Sequence, residues 1–344
     1  MKAVVFKGPF EVEVEDRPTP QPEEGEILIR VEYAGICGSD MHPYRGDSQL
    51  NNLNLIMGHE LVGIVEKINS KQENLGYQVG DRVVPNPYTS CGVCEMCLTG
   101  RHSGCETVGC MGFVRDGCFA QYMKIGASEA YRIDPSVDPK TAALTEPLTI
   151  AMHDVRESGI KAGQTAFIIG GGPIGVLEAM VCRLGGASLI AISETNEARC
   201  RFLRGLGFTV FNPLNTDVIA ECGRMTGGLG FDVVFEVSGS QAGYELMTTK
   251  GVIKNGGRIM IVALPSRPLP VDGNAIARRH YTITGVNLAD KINFKAAVHL
   301  VNSQKINDEL AKLVTDIYPL DQAKEAFDFQ DKDQDHFKVL FDCT

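Results

Sequence analysis

Cys37-Gly38-Ser39-Asp40 is followed twenty residues later by Gly58-His59-Glu60. Between them they offer a soft thiolate, an imidazole and a hard carboxylate oxygen. Zn²⁺ accepts S, N and O ligands tetrahedrally. Three protein ligands with a fourth position open suit a metal that takes part in chemistry. Taken singly, Cys37 reads as a buried apolar thiol and His59 as a satisfied core histidine. Taken together, and beside a second thiol cluster, they read as a metal site.

That second cluster is Cys91-x2-Cys94-x2-Cys97-x7-Cys105. Four thiols at this spacing can close a tetrahedral Zn(Cys)4 site with no open position. A closed shell binds no substrate, so its role is structural. A disulfide cluster and an iron–sulfur cluster are the alternatives.

A third pattern is of a different kind. Thr165 to Ile169 reads as a short apolar strand, followed by Gly170-Gly171-Gly172-Pro173-Ile174-Gly175 and a helical stretch to Leu184. Ser188 to Ile192 reads as the next strand, with Glu194 just beyond. Alone, a glycine triplet of this type is weak. Between strand and helix, with an acid about 20 residues on, it is a dinucleotide fingerprint. Gly170 permits the turn, Gly172 lets backbone approach a pyrophosphate, and Gly175 permits close helix–strand packing. Glu194 is placed for ribose hydroxyls, which favours NAD over NADP. Ser193 is the residue that would instead accommodate a 2′-phosphate.

These groups need a scaffold. The chain has 344 residues, 44% of them hydrophobic, enough for two domains with sizeable cores. A formal charge of −10 argues against nucleic acid or an anionic membrane as partner. No stretch has the roughly 18 apolar residues of a membrane helix. Met1 to Phe10 does not read as a secretory signal. Eleven cysteines with tight spacing then suggest metal thiolates in a reducing, cytoplasmic setting.

The first half is rich in β signals: Ala3 to Phe6, Ile27 to Tyr33, Leu61 to Ile68, and a turn at Gly80-Asp81 entering Arg82-Val83-Val84. After Gly163, strands alternate with helices, with further strands at Asp232 to Glu236, Gly257 to Ala263 and Ile283 to Val286. Such alternation implies a parallel sheet covered on both faces. A helix is expected to begin just after Glu146, with Pro147 in its first turn. The tail carries a helix near Gln322 to Phe327 and a strand at Lys338 to Phe341. The expected fold class is α/β.

Gly35-Ile36-Cys37-Gly38-Ser39-Asp40-Met41-His42 and Gly58-His59-Glu60 resemble the zinc-dependent medium-chain dehydrogenases, in the branch of sorbitol, L-threonine and sugar-acid dehydrogenases. The likeness runs from Met1-Lys2-Ala3 to Lys338-Val339-Leu340. It implies a GroES-like, mainly β catalytic domain at 1–150, a doubly wound Rossmann domain at 151–288, and a return to the catalytic domain at 289–344. It implies two Zn²⁺ per chain: a catalytic one on Cys37, His59 and Glu60, and a structural one on Cys91, Cys94, Cys97 and Cys105. Glu146, in a Glu-Pro pair, becomes either a fourth ligand or the carboxylate that holds the zinc water. Its plain alternative is an acid complementing a helix start.

The likeness also implies alcohol–carbonyl interconversion, with hydride passing to NAD. Asp40 would fix the His59 tautomer, or else serve as a turn residue. Ser39 would bond the substrate oxygen and His42 continue a proton relay, unless His42 is a surface histidine. Arg199 would stack near adenine or else be a solvated helix residue. Ser238, Val262 and Leu264 follow strands, where this fold meets cofactor.

The expected substrate is a polyol, sugar alcohol or sugar acid, with Tyr44 and Arg45 as further hydrogen-bonding groups if the loop after Cys37 faces the cleft. Otherwise those two merely pack on the surface. L-Threonine dehydrogenase is an alternative: Gly117-Cys118-Phe119 fits it, as does the Thr195-Asn196-Glu197 segment. Gln121 departs from the Glu usual in the family. A non-catalytic zinc- and nucleotide-binding protein is a second alternative. A homo-dimer or homo-tetramer is the family expectation.

Overall fold

The computed structural model describes residues 1–47, 53–72, 74–265, 268, 270–333 and 335–344. They divide into two compact units, 1–149 with 289–344, and 150–288. Among the described residues, no helix is long and apolar enough to cross a membrane.

The first unit begins with β1 (Lys2–Gly8), β2 (Glu11–Asp16), β3 (Glu26–Gly35), α1 (Gly38–Arg45), β4 (Glu60–Asn69), β5 (Arg82–Pro85) and β6 (Tyr88–Thr89). It continues with α2 (Glu95–Leu98), β7 (Gly109–Cys110), β8 (Tyr122–Gly126), β9 (Ala130–Arg132), α3 (Pro139–Ala142) and α4 (Thr145–Ser158), along which the chain enters the second unit. That unit contains β10 (Thr165–Ile169), α5 (Pro173–Leu184), β11 (Leu189–Ser193), α6 (Glu197–Gly205), β12 (Thr209–Phe211) and α7 (Val218–Met225). Then come β13 (Phe231–Glu236), α8 (Gln241–Met247), β14 (Ile253–Ile261), α9 (Gly273–Arg279) and β15 (Thr282–Gly285). The chain returns to the first unit with α10 (Lys291–Asn302), α11 (Asn307–Leu313), β16 (Val314–Pro319), α12 (Ala323–Lys332) and β17 (Lys338–Asp342).

The main sheet of the first unit has the order β16-β17-β3-β4-β5-β9, with β8 also on β3. All its pairs are antiparallel except β16–β17. β3 is its spine. Ile27, Leu28, Ile29 and Val31 are stiff or bulky residues suited to a pleated surface, and all four are buried. Its partner β4 meets it with Gly35 opposite Glu60. A Cβ on Gly35 would stand 2.3 Å from Glu60 Oε2, so only glycine leaves space for that carboxylate. Phe119, Phe327 and Phe341 close the core edge-on and tilted, with centroids 5.0–6.3 Å apart.

The second unit is a six-stranded, wholly parallel sheet of order β12-β11-β10-β13-β14-β15. This is the doubly wound order of dinucleotide-binding domains. Phe167 of β10 and Phe231 of β13 stack at 5.3 Å within its core. Pro173 opens α5 at a position where its missing N–H costs nothing. A Cβ on Gly175 would meet the Gly170 carbonyl oxygen at 2.0 Å, which explains glycine there.

Two local expectations need correction. The segment after Cys37 is a helix, α1, rather than an open loop. It turns Tyr44 into the core, fully buried between Phe10 and Phe327, with its hydroxyl donating to Asp328 at 2.6 Å. Arg45 pairs with Asp331 at 2.6 Å. Both residues thus bind α12 and not a substrate. Helix α4 begins at Thr145, so Glu146 lies inside its first turn rather than before it. The preceding chain is already helical through α3, and Leu148 N–H bonds the Leu144 carbonyl.

Candidate active site

β3 ends at Gly35 and delivers Cys37 to the N-terminus of α1. There the Asp40 carboxylate accepts the Cys37 backbone N–H at 2.9 Å. Gly58, with φ near +92°, turns the chain so that His59 and Glu60 enter β4. Cys37, His59 and Glu60 are thereby brought together, each offering one donor atom within 4.8 Å of the others. His59 and Glu60 are buried and Cys37 is half-buried.

The local potential is strongly negative. Burial opposes a charged imidazole, yet the neighbouring Cys110, Asp40 and Cys37 outweigh it and push His59 well above its ordinary pKa. A divalent cation would find the same field attractive, so the donor set and the field both fit a metal. Asp40 Oδ1 stands 3.6 Å from His59 Nδ1. The two atoms are buried, close but not hydrogen-bonded, and neither has a hydrogen-bond partner among the described residues. Burial pushes Asp40 up, while His59 opposes this.

Lys338, the first residue of β17, donates to both Glu60 oxygens at 2.7 Å. Burial alone would lower the Lys338 pKa, but the Glu60 carboxylate raises it. Glu146 lies outside the 4.8 Å group, and its Oε1 accepts the Tyr88 hydroxyl. Burial and the Glu60 charge push Glu146 up to about 7. Phe113 sits over His59 with ring centroids 5.5 Å apart. Lys338, Tyr88, Cys110 and Phe113 were not expected from sequence. Only Lys338 carried any signal, as a cation opening an otherwise apolar strand.

The proposed relay residues differ in setting. Ser39 is half-buried on α1, whereas His42 on the same helix faces Asp47 at 3.3 Å, at the surface.

The four-cysteine lobe lies between β6 and β7. Cys91, Cys94, Cys97 and Cys105 offer donor atoms within 4.8 Å of one another. Cys91 and Cys97 sulfurs are 3.9 Å apart and unbonded, against about 2.05 Å for a disulfide. Backbone N–H groups of Cys91 and Cys94 point at the sulfurs of Cys105 and Cys91, both at 3.4 Å. The Cys91 N–H lowers Cys105 to about 6, favouring its thiolate, while burial holds Cys97 at about 11.

In the second unit, Glu194 follows β11 and accepts backbone N–H bonds from Gly171 at 2.9 Å and Asn196 at 2.7 Å. It therefore braces the glycine loop from the end of β11. The Arg199 guanidinium comes within 3.9 Å of where a Gly172 Cβ would be, so it reaches the loop from α6. Ser238 and its N–H bond Glu236, and Val262 N–H bonds the Glu236 carbonyl, tying the ends of β13 and β14 together. Leu264 is 68% exposed.

A GroES-like unit bearing a Cys–His–carboxylate cluster, with a doubly wound nucleotide-binding unit, defines a class. Residues 23–135 match the alcohol dehydrogenase GroES-like domain and residues 173–303 the zinc-binding dehydrogenase domain. The chain belongs to the zinc-dependent medium-chain dehydrogenases, oxidoreductases that use zinc and NAD(P). Among its relatives is 2-dehydro-3-deoxy-L-galactonate 5-dehydrogenase of Pseudoalteromonas atlantica, 36% identical over 94% of this chain and 93% of that one. L-Threonine 3-dehydrogenase of Bacillus subtilis is 32% identical over 95% of this chain and 94% of its own. The structure of 2R,3R-butanediol dehydrogenase from Bacillus subtilis superposes with TM-score 0.89 at 29% identity, covering 99% of each chain.

Proposed function

We propose that this enzyme moves a hydride between NAD and a secondary alcohol of a sugar acid or related polyol. The observation that carries the chemistry is the Cys37, His59 and Glu60 donor set, gathered within 4.8 Å in a buried, negative site. The sugar-acid reading is supported by the 36% identity to a dehydrogenase of a sugar acid over nearly the whole chain.

Cys37, His59 and Glu60 would hold the catalytic zinc, and the four lobe cysteines the structural one. When bound, the catalytic zinc supplies a Lewis acid for a substrate hydroxyl and the nicotinamide supplies the hydride acceptor. The remaining work belongs to the chain. Asp40 orients the His59 ring, and Lys338 balances the Glu60 charge that burial would otherwise penalise. Ser39 Oγ would accept the substrate hydroxyl proton as its own hydroxyl proton passes on to His42 and so toward solvent. The first N–H groups of α5, those of Ile174 and Gly175 after Pro173, would face a pyrophosphate, and Glu194 would accept the ribose hydroxyls. Its charge disfavours a 2′-phosphate. A cytoplasmic homo-dimer or homo-tetramer belongs to the same reading, on the family likeness.

The test is a substrate panel with NAD and NADP: aldonic and 2-keto-3-deoxy sugar acids, polyols, L-threonine and simple alkanols. A sugar acid or polyol with NAD should lead, with alkanols lower in kcat/KM by about 10⁴-fold, since they leave polar groups unpaired. L-Threonine at the head of the panel would replace this reading by the threonine one. Parity with NADP would remove the role given to Glu194.

A further inference from the structure

The four-cysteine lobe stands on a very short stem. β6 and β7 pair antiparallel through only two registered positions, Tyr88 with Cys110 and Thr89 with Gly109. All four lobe cysteines lie on the chain between those strands. A two-stranded ribbon this small has little stability of its own. Closing the lobe, together with the Met111 N–H to Pro87 carbonyl bond at 3.1 Å, holds it in place. Tyr88 N–H is further fixed by the Asn86 side-chain oxygen at 3.2 Å.

The stem carries Cys110 beside His59 and the Tyr88 hydroxyl against Glu146. Tyr88 is 8% exposed, and its hydroxyl donates to Glu146 Oε1. Glu146 is itself buried, and it lies outside the group formed by Cys37, His59 and Glu60. A buried carboxylate oxygen without a donor is costly, so it moves toward whatever positive charge is near. The Tyr88 hydroxyl removes that drive.

We propose that Tyr88 is a positioning residue that restrains Glu146 from ligating the metal, and so keeps the fourth position open for the substrate oxygen. The proposal rests on the reading of Cys37, His59 and Glu60 as the metal site. Tyr88 touches neither the metal nor the reacting atoms; it acts through Glu146.

The experiment uses the full-length enzyme with Co²⁺ exchanged into the open site, comparing wild type, Tyr88→Phe, Glu146→Gln and the double variant. Phenylalanine keeps the ring and its burial, and retention of the lobe metal reports that the stem is intact. In Tyr88→Phe, the visible Co²⁺ spectrum should shift without substrate and respond weakly when substrate is added. KM should rise about tenfold with kcat changed less, and release of Co²⁺ to a chelator should slow about tenfold, effects of the size seen for outer-shell partners. In the Glu146→Gln background, Tyr88→Phe should add no further spectral shift. An unchanged spectrum and KM in Tyr88→Phe overturns the role of Tyr88 while leaving the metal site standing. A wild type that takes up Co²⁺ only in the lobe overturns the metal site itself, and this proposal with it.

Discussion

Two buried carboxylates of this chain have met opposite solutions. Glu60 on β4 and Glu178 on α5 are both wholly buried. Glu60 receives a lysine ammonium on both oxygens. Glu178 has Asp154 beside it and, among the described residues, neither of its oxygens has a hydrogen-bond partner. Burial pushes Glu178 well above the usual carboxylate range, and the nearby Asp154 and Glu236 add to it. Burial likewise lifts Asp154 to about 8. One site supplies a countercharge, the Lys338 ammonium, against both oxygens of its acid. The other supplies none, so its acids are held as neutral groups. A carboxylate that ligates a metal must be deprotonated, as the reading of Glu60 requires, whereas no such requirement falls on the acids of α4 and α5.

The largest effect should come from Lys338→Met. It leaves Glu60 buried without its cation, a change of the kind that costs about 3–5 kcal/mol. Urea unfolding of the first unit should show the loss, and Glu60→Gln in the same background should recover much of it. If Lys338→Met unfolds like the wild type, the contrast between the two acids disappears.

Asp154→Asn should act in the reverse sense, with an effect that grows as pH rises between about 4 and 8. The folded pKa of Asp154 is raised, so the native state binds its proton more tightly than the unfolded chain does. Stability is then full below the unfolded pKa, near 3.8, and falls as pH rises through about 8. Asparagine removes that loss. Thermal melts should coincide at pH 4 and separate by pH 8.5, with the variant melting higher by about 2–4 °C for each kcal/mol recovered. Equal destabilisation at both pH values would mean that Asp154 is ionised and partnered after all.

Arg45→Ala is the smallest expected change. The Arg45–Asp331 pair is two-fifths exposed on its arginine side. Such pairs contribute about 0–1 kcal/mol. Stability and kcat/KM should both stay close to wild type. A large loss of kcat/KM would return Arg45 to the substrate, against its pairing with Asp331 of α12.

What was legible in the sequence was what lies close along the chain. Cys37, His59 and Glu60, and the four lobe cysteines, were grouped by their spacing, and the fold gathers each group within 4.8 Å; the glycine loop stands between β10 and α5. β3, β4, β10 and α5 announced themselves by long apolar runs. Thr209–Phe211 did not, because a three-residue strand leaves almost no periodic trace. α1 was hidden by Gly38 at its start and Pro43 within it, both poor helix formers. The contacts of Lys338 and Tyr88 were hidden for another reason. Their partners lie 278 and 58 residues away, and no local pattern encodes a contact made by folding.

The Lys338–Glu60 pair also sets an order of events during synthesis. A ribosome adding about 5–20 residues per second reaches Lys338 roughly 15–55 seconds after Glu60. Throughout that interval β3 lacks β17, its antiparallel neighbour, and Glu60 lacks its cation. The catalytic half of the chain is written first but is among the last parts able to close. A chain arrested on the ribosome before β17 should therefore remain open to protease around β3 and β4. Synthesis through β17 becomes a precondition for a sealed site, because the Lys338 ammonium group arrives late.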